Sequence, residues 1–281
     1  MKILTCITIF ATLLCVNSSS GQTKQLSVLV DKIVKLNEVQ YEHVGIAGSK
    51  SENYKNFLKL KEIATTDELV HLTDNENATV ACYASWALAD KQYPDLKTIF
   101  QKFILNDKEV KTFNGCIKSQ DNISSELYHR YWNSVDITKR PTDKTLLDID
   151  SVIIFSKNPY WLLASRAMDN RIYQEPYKSQ ISVLAFEKGC KEAVLYLCNW
   201  HKAEYSEKIK TALLKYLLNT DFKKTGTTDY YSTVEELFKF KDPEIRKAII
   251  TKMKKDRHWE MEKERFNYLL QDNCIFNIDD E

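Results

Sequence analysis

Glycine and proline are scarce, with 6 Gly and 5 Pro in 281 residues. Sandwiches and barrels turn the chain sharply and often, and tight turns draw on these two residues. Their scarcity therefore points to long helices and few hairpins. An excess of charge is missing as well. Lys and Arg number 40 against 39 Asp and Glu, so there is no electrostatic reason to expect nucleic acid or an anionic membrane as partner. No Cys-x-x-Cys pair suggests zinc or thioredoxin-like chemistry. Neither a His-Glu-x-x-His nor a Gly-x-Ser-x-Gly motif occurs, so no sequence motif marks a zinc site or a nucleophile. Nothing in the sequence asks for a metal or a cofactor.

The first residues read as an address. Lys2 precedes an almost unbroken apolar run from Ile3 to Val16, and Ser18, Ser19, Ser20 and Gly21 supply small residues for cleavage. Residues 1–21 thus have the pattern of a secretory signal peptide, too short for a comfortable membrane span. Secretion, or residence in the periplasm or cell envelope, is the expected localisation. Cys15 offers a rival reading as a lipidated cysteine, although Leu14 stands where a lipobox wants a small residue. Membrane attachment is expected only with that lipid. Later apolar runs are too short to cross a bilayer. Loss of Cys6 and Cys15 with the leader leaves five of the seven cysteines. Cys82, Cys190 and Cys198 lie in apolar helical patterns and read as small buried hydrophobes.

What is present is helical periodicity. Leu26, Leu29, Val30, Ile33 and Leu36 follow it, and a loop with Gly45 and Gly48 comes next. Ser49 stands three before Glu52, a capping-box spacing that predicts the next helix start. Asp67–Leu72 reads as a short helix and Asp74–Asn77 as a polar turn. The segment around Val80, Tyr83, Ala84, Ala87 and Leu88 is so broadly apolar that neighbours must cover it on more than one side. Leu96 to Ile104 gives a partner helix. Residues 113–150 are less regular and read as a connector or a decayed repeat, with helix favoured over strand for 146–155. Helices are predicted at 161–168, 177–186, 190–200, 209–218, 234–240, 243–253 and 259–270, with a loop at 225–228.

One phrase occurs twice. Glu68-Leu69-Val70-His71-Leu72-Thr73-Asp74 and Glu236-Leu237-Phe238-Lys239-Phe240-Lys241-Asp242 both end an apolar helix on Asp and a polar turn. Asp242-Pro243-Glu244-Ile245-Arg246-Lys247-Ala248 resembles the heart of a HEAT repeat, in which an Asp-Pro turn opens the second helix and an apolar-Arg pair follows. The copies lie 168 residues apart, near four periods of about 42, within that family's range. The first copy departs from the pattern, with Asn77-Ala78 for Asp-Pro and Ala81 for Arg. The resemblance implies an all-α fold, a right-handed, armadillo-like α-solenoid of degenerate HEAT-like helix pairs forming one domain over residues 22–281. It marks Asp74, Asp242, Pro243 and Arg246 as structural repeat positions, with Arg246 hydrogen-bonded between helices. The overall pattern is similar to secreted bacterial HEAT-repeat proteins.

Tyr128-His129-Arg130-Tyr131-Trp132 is the densest aromatic and basic cluster. Tyr128, Arg130, Tyr131 and Trp132 form a candidate recognition patch, since Tyr, Trp and Arg dominate binding hot spots. The competing reading is a helix whose rings point into the core. His258 and Glu262 are one helical turn apart, but two ligands do not make a metal site. The run Lys252, Lys254, Lys255, Arg257 reads as a solvated helix face. The sequence is therefore expected to describe a secreted helical-repeat binding or scaffolding module with a protein or peptide partner. The alternative is an extracytoplasmic enzyme, hydrolase-like, with a site assembled from scattered residues.

Overall fold

The computed structural model describes residues 24–156 and 161–280. The expected signal peptide and Cys15 lie outside them. Among the described residues no helix is long and apolar enough to cross a membrane. The chain is mostly helical, and it clusters into two units, Met1–Val152 and Ile153–Glu281.

In the first unit, helix α1 (residues 24–36) is followed by strands β1 (Val39–Val44) and β2 (Ser49–Lys50). Helices α2 (Glu52–Ile63), α3 (Thr66–Leu72), α4 (Ala78–Asp90) and α5 (Leu96–Leu105) come next. A hairpin of β3 (Glu109–Gly115) and β4 (Ile117–Asn122) precedes α6 (Ile123–Ser134) and α7 (Lys144–Ile154), in whose last turn the first unit ends. The strands form one sheet of order β2-β1-β3-β4, with β1 and β3 parallel and the outer pairs antiparallel.

That sheet corrects the all-α expectation. Part of the stretch read as a loop is β1, and the start of the supposed connector is a hairpin. The physical reason is long-range pairing. Val39 sits opposite Thr112, and no local pattern announces a parallel partner so distant in sequence. The first half of β3 alternates, burying Val110 and Thr112, while β4 is largely exposed, and Gly115 takes the positive φ of 53° that the tight turn requires. The helix start at Ser49 is corrected too. Ser49 lies in β2, and Ser51 caps α2 by accepting the Tyr54 N–H at 3.1 Å. The reciprocal capping box falls instead at Thr65 and Glu68.

Helix α4 is the core of this unit. Every residue from Thr79 to Ala89 is buried, as its breadth of apolar residues demanded. Phe57 stacks on Tyr83 with ring centroids 5.2 Å apart, and Trp86 meets Tyr83 edge-on at 5.6 Å. The Tyr83 hydroxyl accepts from Gln40 N at 2.7 Å and donates to Gln40 O at 3.0 Å, which ties β1 to the helix. At the far end of α4, Asp90 receives two bonds from Arg130, at 2.8 and 2.7 Å, and one from Lys61 at 2.8 Å. Burial works against the Asp90 charge, yet hydrogen bonds from Arg130 and Lys61 hold its carboxyl below the usual range. The Arg130 guanidinium also lies over Trp86 and Phe57, at 5.0 and 5.3 Å from the ring centres.

The described part of the second unit is helical throughout. It comprises α8 (Trp161–Asp169), α9 (Tyr177–Phe186), α10 (Lys191–Trp200) and α11 (Lys202–Asn219, kinked at Tyr205). Then come α12 (Phe222–Thr225), α13 (Thr227–Phe238), α14 (Pro243–Lys255), a 3-10 turn at Arg257–Glu262 and α15 (Lys263–Asp272). The loop expected at 225–228 narrows to one residue, Gly226, whose φ of 98° breaks the helix. Phe222 and Tyr230 stack across that break, with ring centroids 4.0 Å apart and nearly parallel planes.

Both copies of the repeated phrase do locally what was expected of them. The first ends α3 and leads to α4, where Asn77 caps the helix by accepting from Thr79 N and Val80 N. The second ends α13 and leads to α14, where Asp242 accepts from Glu244 N and Pro243 occupies the first turn.

The Arg130 clamp yields the first prediction. Arg130→Ala removes two charge-assisted hydrogen bonds from the half-buried Asp90, which keeps Lys61, and should cost about 3 kcal/mol. Lys61→Ala removes a more exposed partner and should cost about 1 kcal/mol or less. Urea denaturation of the two variants measures this, and equal losses would refute the central role of Arg130.

Candidate functional site

The sequence singled out four residues of α6, and the structure does not place them on one exposed patch. Tyr128 is fully buried and donates to Asp150 Oδ1 at 2.8 Å. Tyr131 is buried and donates to Asp143 Oδ1 at 3.1 Å. Arg130 belongs to the Asp90 clamp. Trp132 is half-buried beneath the Arg140 guanidinium, 3.3 Å from the ring centre. The rings face inward because α6 packs against α4 and α5, and spacing alone could not tell an inward aromatic face from an outward one.

Of the repeat positions, Asp74 pairs with Lys102 at 2.6 Å on an exposed turn. Asp242, Pro243 and Arg246 come together beside a concavity of about 330 Å³ that Asn273 and Cys274 also line. Arg246 donates to Asn273 O at 2.8 Å and to Cys274 O at 3.3 Å. It thereby satisfies backbone carbonyls just past the end of α15, which have no helical donor. Near the His258–Glu262 pair, the backbone N–H of His258 donates to Asp256, and the Glu262 carboxylate accepts from Thr227 and Arg265. Among the described residues no group of three His, Cys, Asp or Glu could hold a metal ion. Lys252 is tied to Thr220 O, and Arg257 to Glu260 and Asp279.

Two concave sites were not foreseen. The first, about 250 Å³, lies in the first unit between β1, the β3–β4 hairpin and α6. Tyr41, Thr112, Ser119, Asp121, Glu126 and His129 line it. The Tyr41 hydroxyl donates to Glu126 Oε2 at 2.8 Å, and Trp86 Nε1 donates to the Glu126 backbone oxygen at 3.2 Å. Thr112 and Ser119 join their hydroxyls at 2.7 Å, and Ser125 holds Asp121 at 3.1 Å. Burial pushes the Glu126 carboxyl up to about 7; the Tyr41 hydrogen bond opposes the rise and the Asp121 charge adds to it. A carboxyl poised near neutrality at a cavity wall can give or take a proton. Its residues come from both strands of a hairpin, a distant strand and a helix, so no linear motif could have shown it.

The second site is a groove of about 660 Å³ in the second unit, between α11 and the α9–α10 pair. Phe186, Val194, Ala212 and Leu213 contribute apolar surface, and Lys208, Lys215 and Asn219 lie along one side. At one end Lys191 is buried and committed to Asp229 and Ser232. The sequence did carry a signal here. Lys208, Ala212, Lys215 and Asn219 recur at steps of four, three and four, one face of a helix.

Two predictions follow from these placements. Arg246→Ala should destabilise the protein by about 2 kcal/mol, since hydrogen bonds from charged groups contribute about 1.5–3 kcal/mol. Exposed Lys247→Ala should stay within about 0.5 kcal/mol of neutral, and coincident denaturation midpoints would refute this role for Arg246. For Glu126, the folded carboxyl keeps a proton that the unfolded chain, with its ordinary value of 4.5, has released. Its stabilisation is therefore complete below about 4.5 and is lost as pH rises through about 7, by about 3 kcal/mol in all. Glu126→Gln should flatten the fall in stability between about pH 5 and pH 7.5 and make the protein more stable than wild type at about pH 8. Thermal melts across that range check this, and an unchanged slope would refute it.

No protein-family model, no curated protein and no solved structure matches this chain.

Proposed function

We propose that this protein is a helical-repeat binding or scaffolding module that acts outside the cytoplasm and holds a segment of a protein or peptide in the groove of its second unit. The groove carries this reading. Helix α11 leaves one long face uncovered beside apolar side chains of α9 and α10. A volume of about 660 Å³ is in the range of ligand-holding sites. The export pattern of residues 1–21 supports the location. The two capped helix–turn–helix joints, at Asn77 and at Asp242, support a HEAT-like α-solenoid arrangement of the helix pairs.

A second reading, an enzyme of hydrolase type, is favoured by one observation: the Glu126–Tyr41 pair at the wall of the smaller cavity. It would use Glu126 as the group that donates or accepts the proton.

A pull-down from the extracytoplasmic fraction separates the two. The whole chain should retain a partner that the Ala212→Arg variant loses, because the arginine fills the groove from a half-buried helix position. Both proteins should melt alike. Retention of the same partner by Ala212→Arg would overturn the groove reading. A hydrolytic activity on ester, amide or glycoside probes that Glu126→Gln abolishes and Ala212→Arg leaves intact would favour the enzyme.

A further inference from the structure

The groove's charge and geometry narrow what it would hold. Its faces differ chemically: an apolar floor contributed by Phe186, Val194 and Leu213, and a basic rim on α11. Glu207, the acid on that rim, is engaged by Lys210 at 2.7 Å. Buried Lys191 is neutralised by Asp229. Lys208 and Lys215 are exposed and in no ion pair among the described residues. The Lys208 ammonium lies 5.7 Å above the Phe186 ring, so its charge sits over the apolar floor. The free charge of the groove is therefore positive and is carried by these two lysines.

Spacing adds a second constraint. Lys208 and Lys215 are seven residues apart on one helix, about two turns and about 10 Å of rise. A ligand helix lying alongside α11 repeats with the same pitch. Acidic residues seven apart on it come into register with both lysines, while its residues at the third and fourth positions point into the floor. The groove is open along its side, so a helix would keep its polar back in water. A lone acyl chain there would leave apolar surface exposed.

Resting on the reading of this groove as the binding site, we propose that its occupant is an acidic amphipathic helix. Its apolar stripe packs between Phe186, Val194 and Leu213, and two of its carboxylates, seven residues apart, pair with Lys208 and Lys215.

The test uses the full-length chain and a fluorescein-labelled helical peptide of about four turns. The peptide has Leu at every third and fourth position of one face and two Glu seven residues apart beside it, in an Ala-rich background. A twin carries Lys in place of both Glu. By fluorescence anisotropy at about 0.05 M salt, the Glu peptide should bind about tenfold tighter than its twin. The gap should shrink at about 0.5 M salt. Lys208→Glu combined with Lys215→Glu should reverse the order, and thermal melting should show that this surface variant remains folded. Equal affinity of the twins, both lost in Ala212→Arg, would overturn the acidic helix and leave the groove reading standing. The same split follows if neither peptide binds while Ala212→Arg still loses its partner in the pull-down. A dansylated fatty acid that binds in a lysine-dependent manner when the peptides do not would also overturn the helix. If the Glu peptide binds and Ala212→Arg binds it equally, the helix docks elsewhere and both readings fall.

Discussion

Helix α4 has no side that it can show to water. Everything from Thr79 to Ala89 is buried, so the surrounding elements must supply both apolar cover and partners for whatever polar groups the helix brings inside. The cover comes from α3, α6 and α2 with its Phe57, and from the sheet strands β1 and β3. The polar groups are met one by one: Tyr83 by the backbone of Gln40, Ser85 by Cys82 O, and Trp86 Nε1 by Glu126 O. Asp90 is the most demanding. A carboxylate in the last turn of a helix faces the negative end of the helix dipole, and this one is largely buried. Arg130 and Lys61 resolve both problems, and the Arg130 guanidinium, spread over Trp86 and Phe57, packs as well as pairs.

The small polar cavity inherits its geometry from that helix. Pinning Gln40 to Tyr83 places the next residue, Tyr41, against Trp86 with its hydroxyl on Glu126. Hydrogen-bonding the Glu126 backbone to Trp86 holds the first turn of α6 in the same place. Burial takes the carboxyl out of water and the Asp121 charge adds to the effect, so its proton affinity rises even though the Tyr41 hydrogen bond opposes it. Glu126 and Asp90 show how one environment has two outcomes. Burial disfavours both charges. Asp90, with two cations bonded to it, stays ionised; Glu126, with a neutral donor, is driven toward the protonated form.

The groove of the second unit is a different kind of concavity. Its polar groups are lysines on flexible stems at an open rim, and its floor is apolar. Such a site offers surface and steering charge, where the Glu126 cavity offers a positioned proton. Recognition suits the first and proton transfer the second, and the two lie in different units of the chain. The buried cysteines add neither a redox nor a nucleophilic option: burial pushes the Cys190 and Cys198 thiols up to about 12.

Periodicity in the sequence was enough to place most of the helices, though not α6 in the stretch read as a connector or the short α12, and to say that α4 must be covered on more than one side, because those properties depend on residues three and four apart. Local chemistry at Asp242 and Pro243 was enough to place the start of α14, since a cap acts within its own turn, whereas the capping by Asn77 came from the structure. The sheet was invisible because Val39 finds Thr112 only when the intervening helices fold, and a mixed edge-polar hairpin carries little alternation to read. The inward turn of Tyr128 and Tyr131 was likewise undecided, since an aromatic stripe looks the same whether a neighbouring helix or solvent faces it. Which carboxylate stays charged, and which lysines are left free, was settled by tertiary structure alone, because both depend on partners brought from tens of residues away.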